Sequence, residues 1–101
     1  MTTKEIVTYH SNGNIYEKYT EVDGELHGKY ESLYSNGEKN AECTYVKGKL
    51  HGKYESWYPN GQKRTECNYV NGRLRGKYEE FFINSEKRLE RNYVGGVRVN
   101  D

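Results

Sequence analysis

The segment Gly48-Lys49-Leu50-His51-Gly52-Lys53-Tyr54 decides how this chain folds, because it occurs three times. It appears upstream as Gly24-Glu25-Leu26-His27-Gly28-Lys29-Tyr30 and downstream as Gly72-Arg73-Leu74-Arg75-Gly76-Lys77-Tyr78, at an offset of 24 residues each time. Outward from it, Asn12, Asn36, Asn60 and Asn84 align at the same period, as do Tyr45, Tyr69 and Tyr93. No insertion interrupts the series between Ile6 and Gly96. A fixed period of this length marks stacked supersecondary units that bury their apolar residues against one another. Units 24–47, 48–71 and 72–95 are complete; a partial unit 1–23 precedes them and a tail 96–101 follows. Together they make one repeat domain.

The punctuation between these landmarks points to β-hairpins. Asn-Gly and Asp-Gly are the strongest short hairpin signals, since a type I′ turn needs positive φ at both central residues. They stand at Asn12-Gly13, Asp23-Gly24, Asn36-Gly37, Asn60-Gly61 and Asn71-Gly72, with Lys47-Gly48, Asn84-Ser85 and Gly95-Gly96 as weaker counterparts. These eight turns lie alternately 11 and 13 residues apart and delimit nine short strands. Helical periodicity is lacking. The expected fold is all-β: an elongated, single-layer meander of repeated antiparallel hairpins.

A two-residue loop at each turn fixes a register. It sets Tyr30 opposite Cys43, Gly28 opposite Tyr45, Tyr45 opposite Leu50 and Tyr54 opposite Cys67. It also sets Tyr34 opposite Lys39, Cys43 opposite Gly52, Glu42 opposite Lys53 and Glu66 opposite Lys77. Because side chains alternate between faces, the tyrosines collect on one face, with Lys39, Lys63 and Lys87 among them. Glu31, Glu42, Glu55, Glu66, Arg64, Arg73, Arg75 and Lys77 fall on the other. Tyr34–Lys39, Tyr58–Lys63 and Phe82–Lys87 then become cation–π pairs. Gly28, Gly52 and Gly76 are weak points in a strand, and a bulge at each would displace the pairing beyond it by one residue.

Composition narrows the function classes. The chain has 101 residues, 16 Lys plus Arg against 15 Asp plus Glu, and a net charge of +1. Near-neutrality removes the main argument for a nucleic-acid partner. The apolar surface is carried by 11 Tyr, one Trp and 2 Phe. No stretch is long and apolar enough for a transmembrane helix, and Met1-Thr2-Thr3-Lys4-Glu5 does not open a signal peptide. A cytoplasmic or other intracellular site is therefore expected, with Cys43 and Cys67 as free thiols because their spacing puts them two strands apart.

Tyr58-Pro59-Asn60-Gly61-Gln62-Lys63, followed by Cys67-Asn68-Tyr69-Val70-Asn71-Gly72-Arg73-Leu74, resembles the variant MORN (membrane occupation and recognition nexus) repeat. The resemblance implies a ribbon of successive hairpins with an aromatic-lined groove, and roles in protein–protein contact, oligomerisation through terminal repeats and phospholipid binding. Similar bacterial proteins are often labelled antitoxin-like, and similar runs occur in large DNA viruses. Cys43 and Cys67 stand where the repeat has Gly, and the outer units depart most, as end caps of a stack do.

The residue pattern argues against catalysis. Catalytic groups occur once, in an asymmetric pocket, whereas nearly every distinctive residue here recurs. His27 and His51 are replaced in the series by Arg75, which suits a solvated polar position better than a ligand or a catalytic base. Neither metal-ligand spacing nor a phosphate-cradling loop is found, so no cofactor or metal is expected. The expected function is a non-enzymatic scaffold binding a protein partner, or a second copy of itself, through its aromatic face. Tyr30, Tyr34, Tyr54, Trp57, Tyr58, Tyr78 and Phe82 are the candidate contact residues, together with Arg73 and Arg75. Peripheral binding to anionic phospholipid is the alternative, followed by an antitoxin-like binder or a structural component of a larger particle.

Overall fold

The computed structural model describes residues 1–99. They form one antiparallel sheet with no helix: β1 (Thr3–Tyr9), β2 (Ile15–Val22), β3 (Glu25–Leu33), β4 (Lys39–Val46), β5 (Lys49–Leu50), β6 (Gly52–Trp57), β7 (Lys63–Val70), β8 (Arg73–Leu74), β9 (Gly76–Phe81), β10 (Lys87–Val94) and β11 (Val97–Val99). The strand order across the sheet is β1-β2-β3-β4-β6-β7-β9-β10-β11, so each strand neighbours the next in sequence. The two-residue strands β5 and β8 are the lead-ins of β6 and β9, separated from them by a bulge. Overall extents of 43 × 35 × 13 Å leave no room for a second layer. The expected single-layer meander is the fold.

Two kinds of turn alternate. Asp23-Gly24, Lys47-Gly48, Asn71-Gly72 and Gly95-Gly96 have positive φ at both residues, as a type I′ turn requires. The Asn36-Gly37 turn differs, because only Gly37 has positive φ. There the Tyr34 N–H donates to Glu38 O at 2.8 Å and the Gly37 N–H donates to Tyr34 O at 2.9 Å, closing a three-residue loop. Asn36 Oδ1 accepts from the Glu38 N–H and thereby holds the turn. The loops at Asn12, Asn60 and Asn84 have the same bonds.

This loop corrects part of the expected register. Tyr30 faces Cys43 and Gly28 faces Tyr45 as anticipated, but Leu33, not Tyr34, faces Lys39, because Lys39 and Asn40 together oppose one residue. Trp57 likewise faces Lys63, and Phe81 faces Lys87. A one-residue slip moves side chains to the other face. Lys39, Lys63 and Lys87 therefore leave the tyrosine face, and Arg64 joins it. The three anticipated Tyr/Phe–Lys stacks do not form. Lys39 and Lys63 instead each lie 5.5 Å from the Trp57 ring, while Arg64 lies 5.7 Å from that of Tyr58.

A second displacement occurs at the glycines of the repeated segment. Tyr45 faces Leu50, yet Glu42 faces Glu55 and Ala41 faces Ser56. Two extra residues are accommodated around Gly52, whose φ of +99° is open to glycine at little cost. The expected Cys43–Gly52, Glu42–Lys53 and Glu66–Lys77 pairs are thus replaced; Glu66 faces Glu79. A shift of two preserves the alternation, so the tyrosines keep their common face despite the altered partners.

Successive hairpins are fastened at both sheet margins. Tyr34 Oη donates to Trp57 O at 2.7 Å and Tyr58 Oη to Phe81 O at 2.8 Å; His10 Nε2 meets Leu33 O at 2.8 Å in the first unit. At the other margin, the N–H groups of Gly48, Gly72 and Gly96 donate to Leu26, Leu50 and Leu74 carbonyls. The Lys47 and Asn71 N–H groups donate to Nδ1 of His27 and His51. Both histidines are exposed, as their replacement by Arg75 indicated, and each accepts a turn N–H.

Candidate functional site: the tyrosine groove

Three tyrosine pairs organise one face. Tyr45 lies opposite Gly28, Tyr69 opposite Gly52 and Tyr93 opposite Gly76, so each ring covers a position without a side chain. There it meets Tyr30, Tyr54 or Tyr78 edge-on, with centroids 6.0, 6.1 and 6.1 Å apart. Such pairs contribute about 0.5–1.5 kcal/mol beyond the area they bury. Cys43 and Cys67, 4% and 1% exposed, fill the gaps beside them and are unbonded. Burial pushes both thiols up to about 11, which keeps them protonated and inert.

Next to this aromatic row runs a floor of small residues: Ser32 opposite Ala41, Ala41 opposite Ser56, and Ser56 opposite Thr65. Tyr34, Tyr58 and Phe82, on the loop-proximal side, form the opposing wall. The result is an open groove of about 790 Å³ crossing the strands, lined by Tyr34, Tyr54, Tyr58, Tyr78 and Phe82 over Ser56 and Thr65. A shallower continuation carries Tyr30, Cys43 and Tyr45, sharing Tyr54 with the main groove. Of the nine anticipated contact residues, seven border these two hollows. Arg73 and Arg75 do not; they line a separate depression with Lys49, Val70 and Leu74. Trp57 borders the groove, but its ring lies beside Lys39 and Lys63 on the opposite face.

Carboxylates close the floor at its ends. Glu17 faces Ser32 and accepts the Tyr30 hydroxyl at 2.6 Å; Glu80 faces Thr65 and accepts that of Tyr78 at 2.5 Å. Burial, then these acceptors, raises both phenol pKa values. Arg88 pairs with the other oxygen of Glu80. Glu17, Asn40, Arg64, Glu80 and Arg88 were not among the anticipated site residues. Arg64 in particular was set on the far face, because its position depends on the loop-proximal bulge.

The far face is an ionic lattice. Glu31, Glu42, Glu55, Glu66, Glu79 and Glu90 stand directly opposite one another across six strands. Such a row is repulsive by itself. Lysines on both sides relieve it: Lys29 lies 3.4 Å and Lys39 2.7 Å from Glu42, Lys63 bridges Glu55 and Glu66, and Lys87 bridges Glu79 and Glu90. Hydrogen bonding to Lys39 holds the Glu42 carboxyl below its ordinary range, and Lys87 does the same for Glu90. Arg64, which the expected register set on this face with Arg73, Arg75 and Lys77, belongs to the groove instead.

An open, one-layer stack of hairpins, with Tyr34 and Tyr58 hydroxyls tying one unit to the next, defines a β-repeat protein. The MORN repeat variant family model matches residues 26–47 and 50–71, so these two central units are MORN repeats of the variant kind. No curated protein matches the chain. MORN repeats are generally linked to protein or membrane-lipid binding, a scaffold role rather than an enzymatic one. The structure has no helix long and apolar enough to cross a membrane among the described residues.

Proposed function

We propose that the chain is a non-enzymatic scaffold that binds a protein partner along the tyrosine groove. The observation that carries this reading is the asymmetry of the faces. One offers a concave strip of half-buried rings over a small-residue floor, the composition of a contact surface, with Tyr as the favoured anchor. The other spends its charge internally. Anionic lipid needs cations free to leave their counterions, whereas Lys29, Lys39, Lys53, Lys63 and Lys87 each lie within 4 Å of a glutamate. Tyr30, Tyr34, Tyr54, Tyr58, Tyr78 and Phe82 are the contact residues on this reading, with Tyr54 at the centre.

Affinity capture from native extract tests it with a matched pair of variants. Tyr54→Ala removes the central groove ring, and Trp57→Ala removes a ring from the ionic face. A partner that binds the parent and Trp57→Ala, and is lost with folded Tyr54→Ala, supports groove binding. A partner lost only with Trp57→Ala assigns the contact to the far face instead. The open edges of β1 and β11, where Val97 is 68% exposed, favour self-association as a second reading. Light scattering decides it: a mass above monomer at micromolar concentration supports it, and a constant monomer mass removes it.

A further inference from the structure

The tyrosine face departs from the 24-residue period at the polar positions of its groove, and there one charge is left without a counterion. Positions 40, 64 and 88 are equivalent, and so are 32, 56 and 80. In the first set Ser32 Oγ donates to Asn40 Oδ1 at 2.9 Å, a neutral pair. In the last set Arg88 is neutralised by Glu80. The middle set joins Arg64 to Ser56, and among the described residues no carboxylate lies within 4 Å of that arginine. Arg64 instead lies over the Tyr58 ring and lines the groove together with Tyr54, Ser56 and Thr65, its side chain exposed to an incoming ligand.

We propose that Arg64 determines which partner the groove accepts, by taking the carboxylate of an acidic residue in an extended peptide segment. This rests on the reading of the groove as a protein-binding surface. The planar guanidinium matches a carboxylate bidentately, and its stacking on Tyr58 holds the fork in place before the ligand arrives. Glu80 and Glu17 then set the register. Glu80 lies one strand to one side of Arg64 and Glu17 four strands to the other. The matching ligand therefore has one acidic residue at its centre, and neutral or basic residues toward both ends. A flat bilayer is a poor fit, because it needs several unpaired cations presented together and Arg88 is already paired.

The test is an oriented library of capped nine-residue peptides whose central residue is fixed as Asp, Glu, Asn, Gln, Lys or phosphoserine. The parent chain is expected to select Asp or Glu over their amides by about ten- to a hundredfold, the usual worth of a charge-assisted bidentate contact. Arg64→Gln should abolish that selection with an unchanged melting temperature, since the side chain is exposed. Arg64→Glu should transfer it to Lys, and Arg64→Lys should keep part of it. Equal binding of all central residues, or acidic selection that survives in Arg64→Gln, overturns the proposal while leaving groove binding intact. Preference for phosphoserine, or Arg64-dependent binding only to phosphatidylserine-containing vesicles, also overturns it. If no peptide binds and native extract yields no groove-dependent partner, both readings fail together.

Discussion

The two faces of this sheet are built from the same strands and obey different rules. On the ionic face the glutamates recur in every unit from Glu31 to Glu90, and each of them meets a lysine of its own unit. On the tyrosine face the rings recur but the polar residues between them do not: Asn40, Arg64 and Arg88 occupy one position, and Ser32, Ser56 and Glu80 another. Periodic residues hold the stack together. Aperiodic ones, placed where the fold does not require them, are where a particular partner is specified. The difference is visible only because a one-layer sheet keeps its two surfaces chemically separate.

The sharpest way to break the contrast is to remove a ring from one face and then from the other. Tyr54 packs edge-on against Tyr69 and lies between Cys43 and Cys67, so Tyr54→Ala should cost about 2–3 kcal/mol, somewhat below a fully buried aromatic truncation. Trp57→Ala should cost less, because its ring rests on two lysine stems rather than in the packed row. Urea unfolding of both variants measures the gap. Equal losses would mean that the faces carry stability equally.

Acid should strike the ionic face first. The folded-state pKa values of Glu42 and Glu90 are depressed, so their stabilising contribution is full above the unfolded carboxylate range and is lost as pH falls through the lower folded values. Urea midpoints should therefore fall below the ordinary carboxylate value of 4.5 and hold steady from there to neutrality. Glu42→Gln should flatten that acid limb. A midpoint that rises on acidification would show that repulsion within the glutamate row outweighs its lysines.

Lys63→Met isolates one node of the lattice. It removes the cation between Glu55 and Glu66 while keeping a stem to cover Trp57. The expected loss is about 1 kcal/mol at low salt, shrinking as salt screens both attraction and repulsion. Lys4→Met, on the outermost strand, serves as the reference and should change stability by less than about 0.5 kcal/mol.

How much of this could be read from the chain depends on parity. The 24-residue period, the nine-strand meander and the shared face of Tyr30, Tyr54 and Tyr78 were legible, because the displacement at Gly52 is two residues and leaves alternation intact. The loop-proximal bulges were not legible. Asn60-Gly61 and Asn71-Gly72 are the same dipeptide, yet only the second has positive φ at Asn. What distinguishes them is tertiary. Asn36 Nδ2 donates to Pro59 O in the next hairpin at 3.3 Å, and the Tyr34 and Tyr58 hydroxyls anchor the loop from the same side. A one-residue slip set there moved Lys63 to one surface and Arg64 to the other, which is why the aromatic half of the candidate site was anticipated and its charged half was missed.

The smallest expected effects come from the hydroxyls that join one unit to the next. Tyr34 and Tyr58 each donate to a carbonyl 23 residues on, and the equivalent position in the last described unit is Phe82, which has no hydroxyl to give. Tyr58→Phe leaves the ring and strands Phe81 O without its donor, so it should cost about 1 kcal/mol. Phe82→Tyr adds a hydroxyl at a 47% exposed ring with no acceptor ahead of it, and should change stability by less than about 0.5 kcal/mol. The comparison gives a direct measure of coupling between units, because the two substitutions exchange the same oxygen at equivalent positions. If Phe82→Tyr stabilises the monomer as much as Tyr58→Phe destabilises it, the hydroxyl acts within its own hairpin and the stack is held by packing alone. If Phe82→Tyr instead raises the association state, the added hydroxyl has found its acceptor on a second copy of the chain.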